Sequence, residues 1–73
     1  MRLTPGEQIE IHFTHHAPTP EQIVKYLKLR DAAKTYALVL AECCPPSADL
    51  TAAIRKVRES VMTANASIAC KGQ

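Results

Sequence analysis

The sequence contains few of the residues that usually fill a large hydrophobic core. Among its 73 residues there is no Trp, one Phe and two Tyr. A core would have to be built mainly from Leu, Ile, Val and Ala, and oligomerisation is the usual remedy for a small domain of that kind. The length predicts a single domain, spanning residues 1–73.

The sequence also predicts no disulfide framework, no membrane span and no secretory leader. The three cysteines (Cys43, Cys44 and Cys70) are odd in number and two are adjacent, which fits no disulfide framework. No apolar run approaches the roughly 18–20 residues of a membrane span, and no apolar stretch of a signal peptide is present. The sequence therefore predicts a soluble, cytoplasmic protein. Its formal net charge of +2 is too small to indicate duplex nucleic acid as a partner, but it allows a small anion in a focused basic pocket.

The first helix is predicted over residues 5–13. Thr4 can cap it, Pro5 suits the first helical position, and Glu7 stands at the capping-box spacing. The alternation of apolar and polar residues over 9–13 would also suit a strand. No second strand is predicted with which it could pair, and we therefore expect a short helix.

A long antiparallel hairpin is predicted to follow. The second helix, over residues 20–44, begins after a Thr19 cap, and two consecutive prolines end it. The third helix, over residues 48–70, begins after a Ser47 cap. Apolar residues recur every three or four positions along both helices, as expected for faces that pack. They are Tyr26, Leu29, Ala33, Tyr36, Leu40 and Cys43 on the second helix, and Leu50, Ile54, Val57, Val61, Ala64 and Ile68 on the third. Further apolar residues widen the face of the second helix: Ile23, Leu27, Ala37, Leu38 and Ala41.

Three histidines lie close together before the second helix: His12, His15 and His16. They could cap or pack, or one planar ring could stack on a base or donate a hydrogen bond to a phosphate. Zinc would need further ligands, such as Cys43 or Cys44, at spacings that the sequence does not provide. We predict no metal site and no cofactor.

Arg30, Lys34 and Asn65 are candidates for polar ligand contacts. Arg30 and Lys34 are four residues apart and neighbour each other close to the apolar face of the second helix. A basic run is usually a solvated face, but an Arg at an apolar edge can grip a phosphate through two parallel hydrogen bonds. Asn65 favours side-chain hydrogen bonds, and it could make either a helix–helix contact or a contact to a base edge.

No arrangement of catalytic residues is evident. The cysteines have no His at a nucleophile-like spacing, the carboxylates are dispersed, and there is no Gly-rich phosphate loop. A helical hairpin also lacks the deep pocket that catalysis normally uses. We predict a protein that is not an enzyme.

Three sequence blocks resemble one known family. Residues 13–18 (FTHHAP) are similar to a Phe-Thr-Tyr-His-x-Pro motif, and residues 26–34 (YLKLRDAAK) to Tyr-x-x-hydrophobic-Arg-x-x-Ala-Lys. Residues 61–69 (VMTANASIA) are similar to Val-Met-x-Ala-Asn-Ala-x-Ile-Ala. The blocks occur in this order in the small phage-encoded cyclic-nucleotide sponges that counter CBASS and Thoeris bacterial immunity, and the sequence resembles that family.

The resemblance implies a homohexamer of helical hairpins that sequesters nucleotide messengers, uncleaved, in pockets between protomers. Ligands of such sponges include cyclic dinucleotides such as 3',3'-cyclic GMP-AMP, cyclic trinucleotides and, in the anti-Thoeris branch, cyclic ADP-ribose isomers. The implied location is the cytoplasm of an infected bacterial host, and the implied effect is that CBASS effectors are not activated. By position, the implied ligand-binding residues are His15 as a stacking ring, His16 and Pro18 in the pocket wall, Arg30 and Lys34 at phosphates, and Asn65 as polar support.

The sequence departs from the family pattern at three positions. His15 stands where Tyr is usual, which keeps a planar ring but changes its hydrogen bonding. Thr63 and Cys70 stand where Trp and Arg are common. The missing Arg argues against a second, trinucleotide-type site unless Lys71 replaces it, and the short N-terminus favours the anti-CBASS branch. The alternative hypothesis is a small helical protein–protein interaction or regulatory module without a nucleotide ligand.

Overall fold

The structure, a computed structural model that describes residues 3–73, contains three α-helices. They are α1 (Pro5–Phe13), α2 (Pro20–Cys43) and α3 (Ala48–Ala69), and no strand occurs within the described range. The prediction of an all-α chain with a hairpin is confirmed, and the predicted helix limits agree with the observed ones to within one residue. The first two residues of the predicted domain lie outside the described residues.

α1 and α2 begin with the same capping box. The Thr4 hydroxyl accepts a hydrogen bond from the backbone N–H of Glu7 at 3.2 Å, and the Glu7 carboxylate accepts one from the backbone N–H of Thr4 at 3.0 Å. Thr19 and Gln22 repeat both bonds, with the same distances, at the start of α2. Because the first N–H groups of a helix have no partner within it, these bonds stabilise both helix starts.

Two prolines separate α2 from α3. The backbone of Cys44 is extended (φ −105°, ψ 135°), as expected for a residue that precedes Pro. After Pro45 and Pro46, the Ser47 hydroxyl accepts from the backbone N–H of Leu50 at 3.1 Å and caps α3. The short connection brings α3 back along α2 in the antiparallel orientation.

The packed face of α2 differs from the prediction at two positions. The sequence pattern places Tyr36 and Cys43 on this face, but both are exposed, and Ala37 and Cys44 are half-buried instead. The predicted pattern steps three residues, from Ala33 to Tyr36, whereas the observed packed face steps four, from Ala33 to Ala37. Both steps occur in helix packing, because an α-helix has 3.6 residues per turn. On α3, every member of the predicted apolar stripe is half-buried: Leu50, Ile54, Val57, Val61, Ala64 and Ile68.

The chain by itself leaves much of its surface uncovered. Its accessible area is 6091 Å², whereas a folded monomer of 8.0 kDa exposes about 4,450 Å² by the general scaling with mass. The radius of gyration is 15.4 Å, against about 11 Å for a compact domain of this length. Many large apolar side chains are exposed as a result. They are Ile9, Phe13, Ile23, Val24, Leu27, Tyr36, Leu38, Val39 and Met62.

α3 ends in a turn that folds back on itself. After Cys70, Lys71 (φ 53°) and Gly72 (φ 79°) adopt the left-handed conformation. The backbone N–H of Gly72 bonds to the Ser67 carbonyl at 2.8 Å, and that of Lys71 bonds to the Ile68 carbonyl at 3.2 Å. This pair of bonds is a Schellman motif, which satisfies carbonyl groups that a helix end leaves free.

The same turn joins α1 to the hairpin. It brings the carbonyl oxygen of Gln73 to 2.9 Å from Nε2 of His12, and the ring nitrogen donates because a carbonyl can only accept. Cys70 is the one buried residue in the described range, at 8% exposure, and its thiol lies 3.9 Å from the carbonyl oxygen of Ile11. α1 is thus attached through its C-terminal turn.

None of the helices within residues 3–73 combines the length and the apolar character needed to cross a membrane.

Candidate functional site

The main candidate site is an open groove between α2 and α3 of about 360 Å³. Its floor is formed by small and β-branched side chains along the line where the helices pack, and its rims carry basic side chains. A volume of this size falls within the range of ligand pockets. We call it the cationic groove, and its lining residues are Arg30, Ala33, Lys34, Ala37, Ile54, Val57, Arg58, Val61 and Met62.

Within residues 3–73, the basic side chains of the cationic groove have no carboxylate within 4 Å. Arg30 and Lys34 come from α2, Arg58 comes from α3, and no carboxylate lines the groove. The one ion pair within residues 3–73 joins Arg55 to Glu59 on α3, at 3.9 Å. Three uncompensated cations around a common groove raise the local positive potential, and a bound anion would relieve their repulsion.

Two of the predicted site residues, Arg30 and Lys34, are therefore brought together. They are one helical turn apart on α2, on the same side of that helix as Ile23, Leu27 and Leu38, all of which are exposed. The guanidinium of Arg30 can bond two oxygens of one phosphate, and the ammonium of Lys34 acts as a compact charge beside it.

Asn65 lies beyond the end of the cationic groove, on α3. It falls on the same side of that helix as Arg58 and Met62, because the three residues are spaced by four and three positions. The residue is half-buried, and its Oδ1 has no hydrogen-bond partner although that atom is shielded from solvent. A shielded acceptor without a donor is costly, so the Asn65 side chain is left unsatisfied within the described residues.

The three predicted site residues of the α1–α2 loop do not line the cationic groove of the same chain. His15, His16 and Pro18 are exposed. Nε2 of His16 donates to the carbonyl oxygen of Ile11 at 2.7 Å, which assigns the ring proton to that nitrogen and holds the loop against the end of α1. Thr14 adds a bond from its hydroxyl to the carbonyl oxygen of Glu10.

A second groove of about 380 Å³ lies between α1 and the end of α3. It includes Thr63 and Cys70, two of the three positions at which the sequence departs from the resembled family, and Lys71 is not among its lining residues. Apart from His12, no basic side chain among residues 3–73 lines it. The full lining is His12, Thr63, Ala66, Ser67, Cys70, Gly72 and Gln73.

Sequence reasoning missed Arg58. It is one residue away from Val57 of the apolar stripe and four residues before Met62, so it borders the packed face of α3. That position is the signal by which it could have been found.

No three His, Cys, Asp or Glu side chains in the described part of the chain lie close enough together to hold a metal ion.

The described residues form a small all-α antiparallel hairpin with three basic side chains around one open groove. The family model described as Acb2/Tad1, hairpin domain, matches residues 5–69. The chain belongs to this family, that of the phage anti-CBASS and anti-Thoeris sponge proteins, which is linked to the sequestration of cyclic nucleotides. The resemblance stated from the three sequence blocks is confirmed. Comparison with curated proteins gave no match, and comparison with solved structures gave none.

Proposed function

We propose that this protein binds cyclic oligonucleotide second messengers and holds them uncleaved, so that CBASS effectors in the infected bacterial host are not activated. The proposed ligands are cyclic dinucleotides such as 3',3'-cyclic GMP-AMP, with cyclic trinucleotides as a further class. The proposed place of action is the host cytoplasm. Membership of a family of sponge-type binding proteins supports this function.

The observation that carries the proposal is the cationic groove. Arg30 and Lys34 stand without acidic partners above an apolar floor, and a cyclic dinucleotide likewise combines anionic phosphates with flat apolar base surfaces. The groove therefore offers charge to the phosphates and contact area to a base. None of the described residues that line it is a Ser, Cys, His, Asp or Glu. These residues are the most usual nucleophiles and general bases, so the lining supports binding without cleavage.

We propose that the functional unit is a homohexamer with binding pockets between protomers. In this arrangement His15, His16 and Pro18 of one chain approach Arg30, Lys34 and Asn65 of another. The large exposed surface of the single chain supports assembly. The exposed Leu27 and Leu38 support it as well, since they flank the cations of α2 on the side that a neighbouring protomer would cover.

Isothermal titration calorimetry against a panel of cyclic di- and trinucleotides tests the function. We expect binding of at least one cyclic dinucleotide, and Arg30→Ala should weaken it by about 10- to 100-fold, as for one lost charge-assisted hydrogen bond. Lys28→Ala is the matched control, because it removes one positive charge from the same helix without touching the cationic groove. No binding by the parent protein across the panel would reject the proposal and favour an interaction module.

Recovery of the ligand tests whether the protein is only a sponge. After incubation with 3',3'-cyclic GMP-AMP, the protein is denatured and the released nucleotide is analysed by chromatography. We expect the intact ligand in an amount equal to that added. Linear dinucleotides or mononucleotides in the released fraction would show that the protein is a nuclease.

A further inference from the structure

Arg58 is the basic residue of α3 that reaches the cationic groove. The other two basic residues within that helix do not: Arg55 pairs with Glu59 at 3.9 Å, and Lys56 borders a different groove on the other side of the hairpin. Arg58 has no carboxylate within 4 Å in the described part of the chain. It is exposed, and it lies four residues from both Ile54 and Met62 on the groove wall.

The position of Arg58 gives the cationic groove two charged walls. Arg30 and Lys34 belong to the α2 wall, Arg58 belongs to the α3 wall, and Ala33 and Val57 lie on the floor between them. A single phosphate held at one wall leaves the cation of the other wall uncompensated. A rigid ligand with two phosphates on opposite edges can place one at each wall, and both local charges are then balanced.

We infer that Arg58 contacts a phosphate of the bound ligand, so that one hairpin contributes charge from both of its long helices. The inference rests on the proposed function and deepens it. It assigns to the site a preference for rigid ligands that carry two separate phosphates over nucleotides that carry one. A guanidinium suits this role because it forms two parallel bonds to phosphate oxygens.

Calorimetry with Arg58→Ala and Arg55→Ala tests the assignment. Both changes remove one Arg from exposed positions of α3, but Arg55 does not line the cationic groove. With 3',3'-cyclic GMP-AMP we expect Arg58→Ala to weaken binding at least tenfold and Arg55→Ala to change it less than twofold. With 3',5'-cyclic AMP, which carries one phosphate, parent binding should be weak, and Arg58→Ala should change it less than the binding of the dinucleotide.

The outcomes separate this inference from the proposed function. If the parent protein binds 3',3'-cyclic GMP-AMP and Arg58→Ala binds it within twofold of the parent, the inference is overturned and the function stands. If the parent binds no cyclic nucleotide, both are overturned. Sedimentation of each variant completes the test: a lower oligomeric state for Arg58→Ala, with Arg55→Ala unchanged, would make Arg58 an assembly residue and also overturn the inference.

Discussion

Nε2 of Gln22 donates a hydrogen bond to the backbone carbonyl oxygen of Ile68 at 3.0 Å, and this bond ties the first turn of α2 to the last turn of α3. The same amide accepts from the backbone N–H of Thr19 through Oε1. One side chain thus completes the α2 capping box and closes the open end of the hairpin. The equivalent residue of α1, Glu7, makes only the capping bond.

Because the Gln22 amide both accepts one hydrogen bond and donates another, we expect Gln22→Glu to destabilise the fold. A carboxylate can still accept from Thr19, but it cannot donate to the Ile68 carbonyl, and it places a negative charge beside that oxygen. We expect a loss of about 1–3 kcal/mol in the free energy of unfolding, measured by chemical denaturation. Glu7→Gln, the reverse exchange in the α1 capping box, is the control and should change stability much less than Gln22→Glu, because Glu7 makes no bond to α3. A Gln22→Glu variant as stable as the parent would show that the bond to Ile68 contributes nothing.

The ionisation of Glu7 makes the stability of α1 depend on pH in the acid range. Two hydrogen bonds hold the pKa of Glu7 below its ordinary value of 4.5. The larger effect comes from the backbone of Thr4, and the smaller from its side chain. A lowered pKa in the folded state stabilises α1 above the unfolded value, and this contribution is lost as the pH falls through the folded value. An NMR titration should show the pKa of Glu7 rising in Thr4→Ala and remaining unchanged in Thr19→Ala. Thr4→Ala keeps the backbone N–H and removes only the hydroxyl, so equal Glu7 titration curves in the parent and Thr4→Ala would contradict the side-chain part of this origin.

Asn65 is expected to cost stability in the free chain. Its Oδ1 is shielded and unpaired, and Asn is a poorer helix former than Ala. Asn65→Ala should therefore raise the stability of the unassembled chain slightly, by about 0.5–1.5 kcal/mol, while weakening ligand binding or assembly. Ser67→Ala on the same helix controls for the gain in helix propensity. A loss of stability together with unchanged binding would mean that Asn65 serves the fold alone.

Assembly can be tested on the outer side of α2. Leu38 is 62% exposed and lies one turn from Lys34. If protomers meet beside Arg30 and Lys34, Leu38→Asp buries a carboxylate at the contact and should dissociate the hexamer. Thr35→Asp adds the same charge on the polar side of α2 and should leave the assembly unchanged. Analytical ultracentrifugation measures both variants, and a parent protein that sediments as a stable monomer would reject the hexamer.

The sequence alone determined the local structure of this protein. The Thr-Pro starts of α1 and α2 and the Pro45–Pro46 break act through hydrogen bonds and dihedral preferences within four residues. The predicted helix limits therefore agree with the observed ones. The α3 stripe was predictable for a related reason, since its spacing matches the helical period. Three blocks of local sequence were likewise enough to suggest the family.

Only the tertiary structure decided which side chains meet. The packing of α3 on α2 turned Ala37 inward rather than Tyr36 and brought Arg58 opposite Arg30. The bonds from Gln22 to Ile68 and from His12 to Gln73 cross 46 and 61 residues of sequence. Helical period fixes only which residues share a face, whereas the rotation of each helix about its axis depends on the side chains packed between the two helices. That rotation places the three cations around one groove.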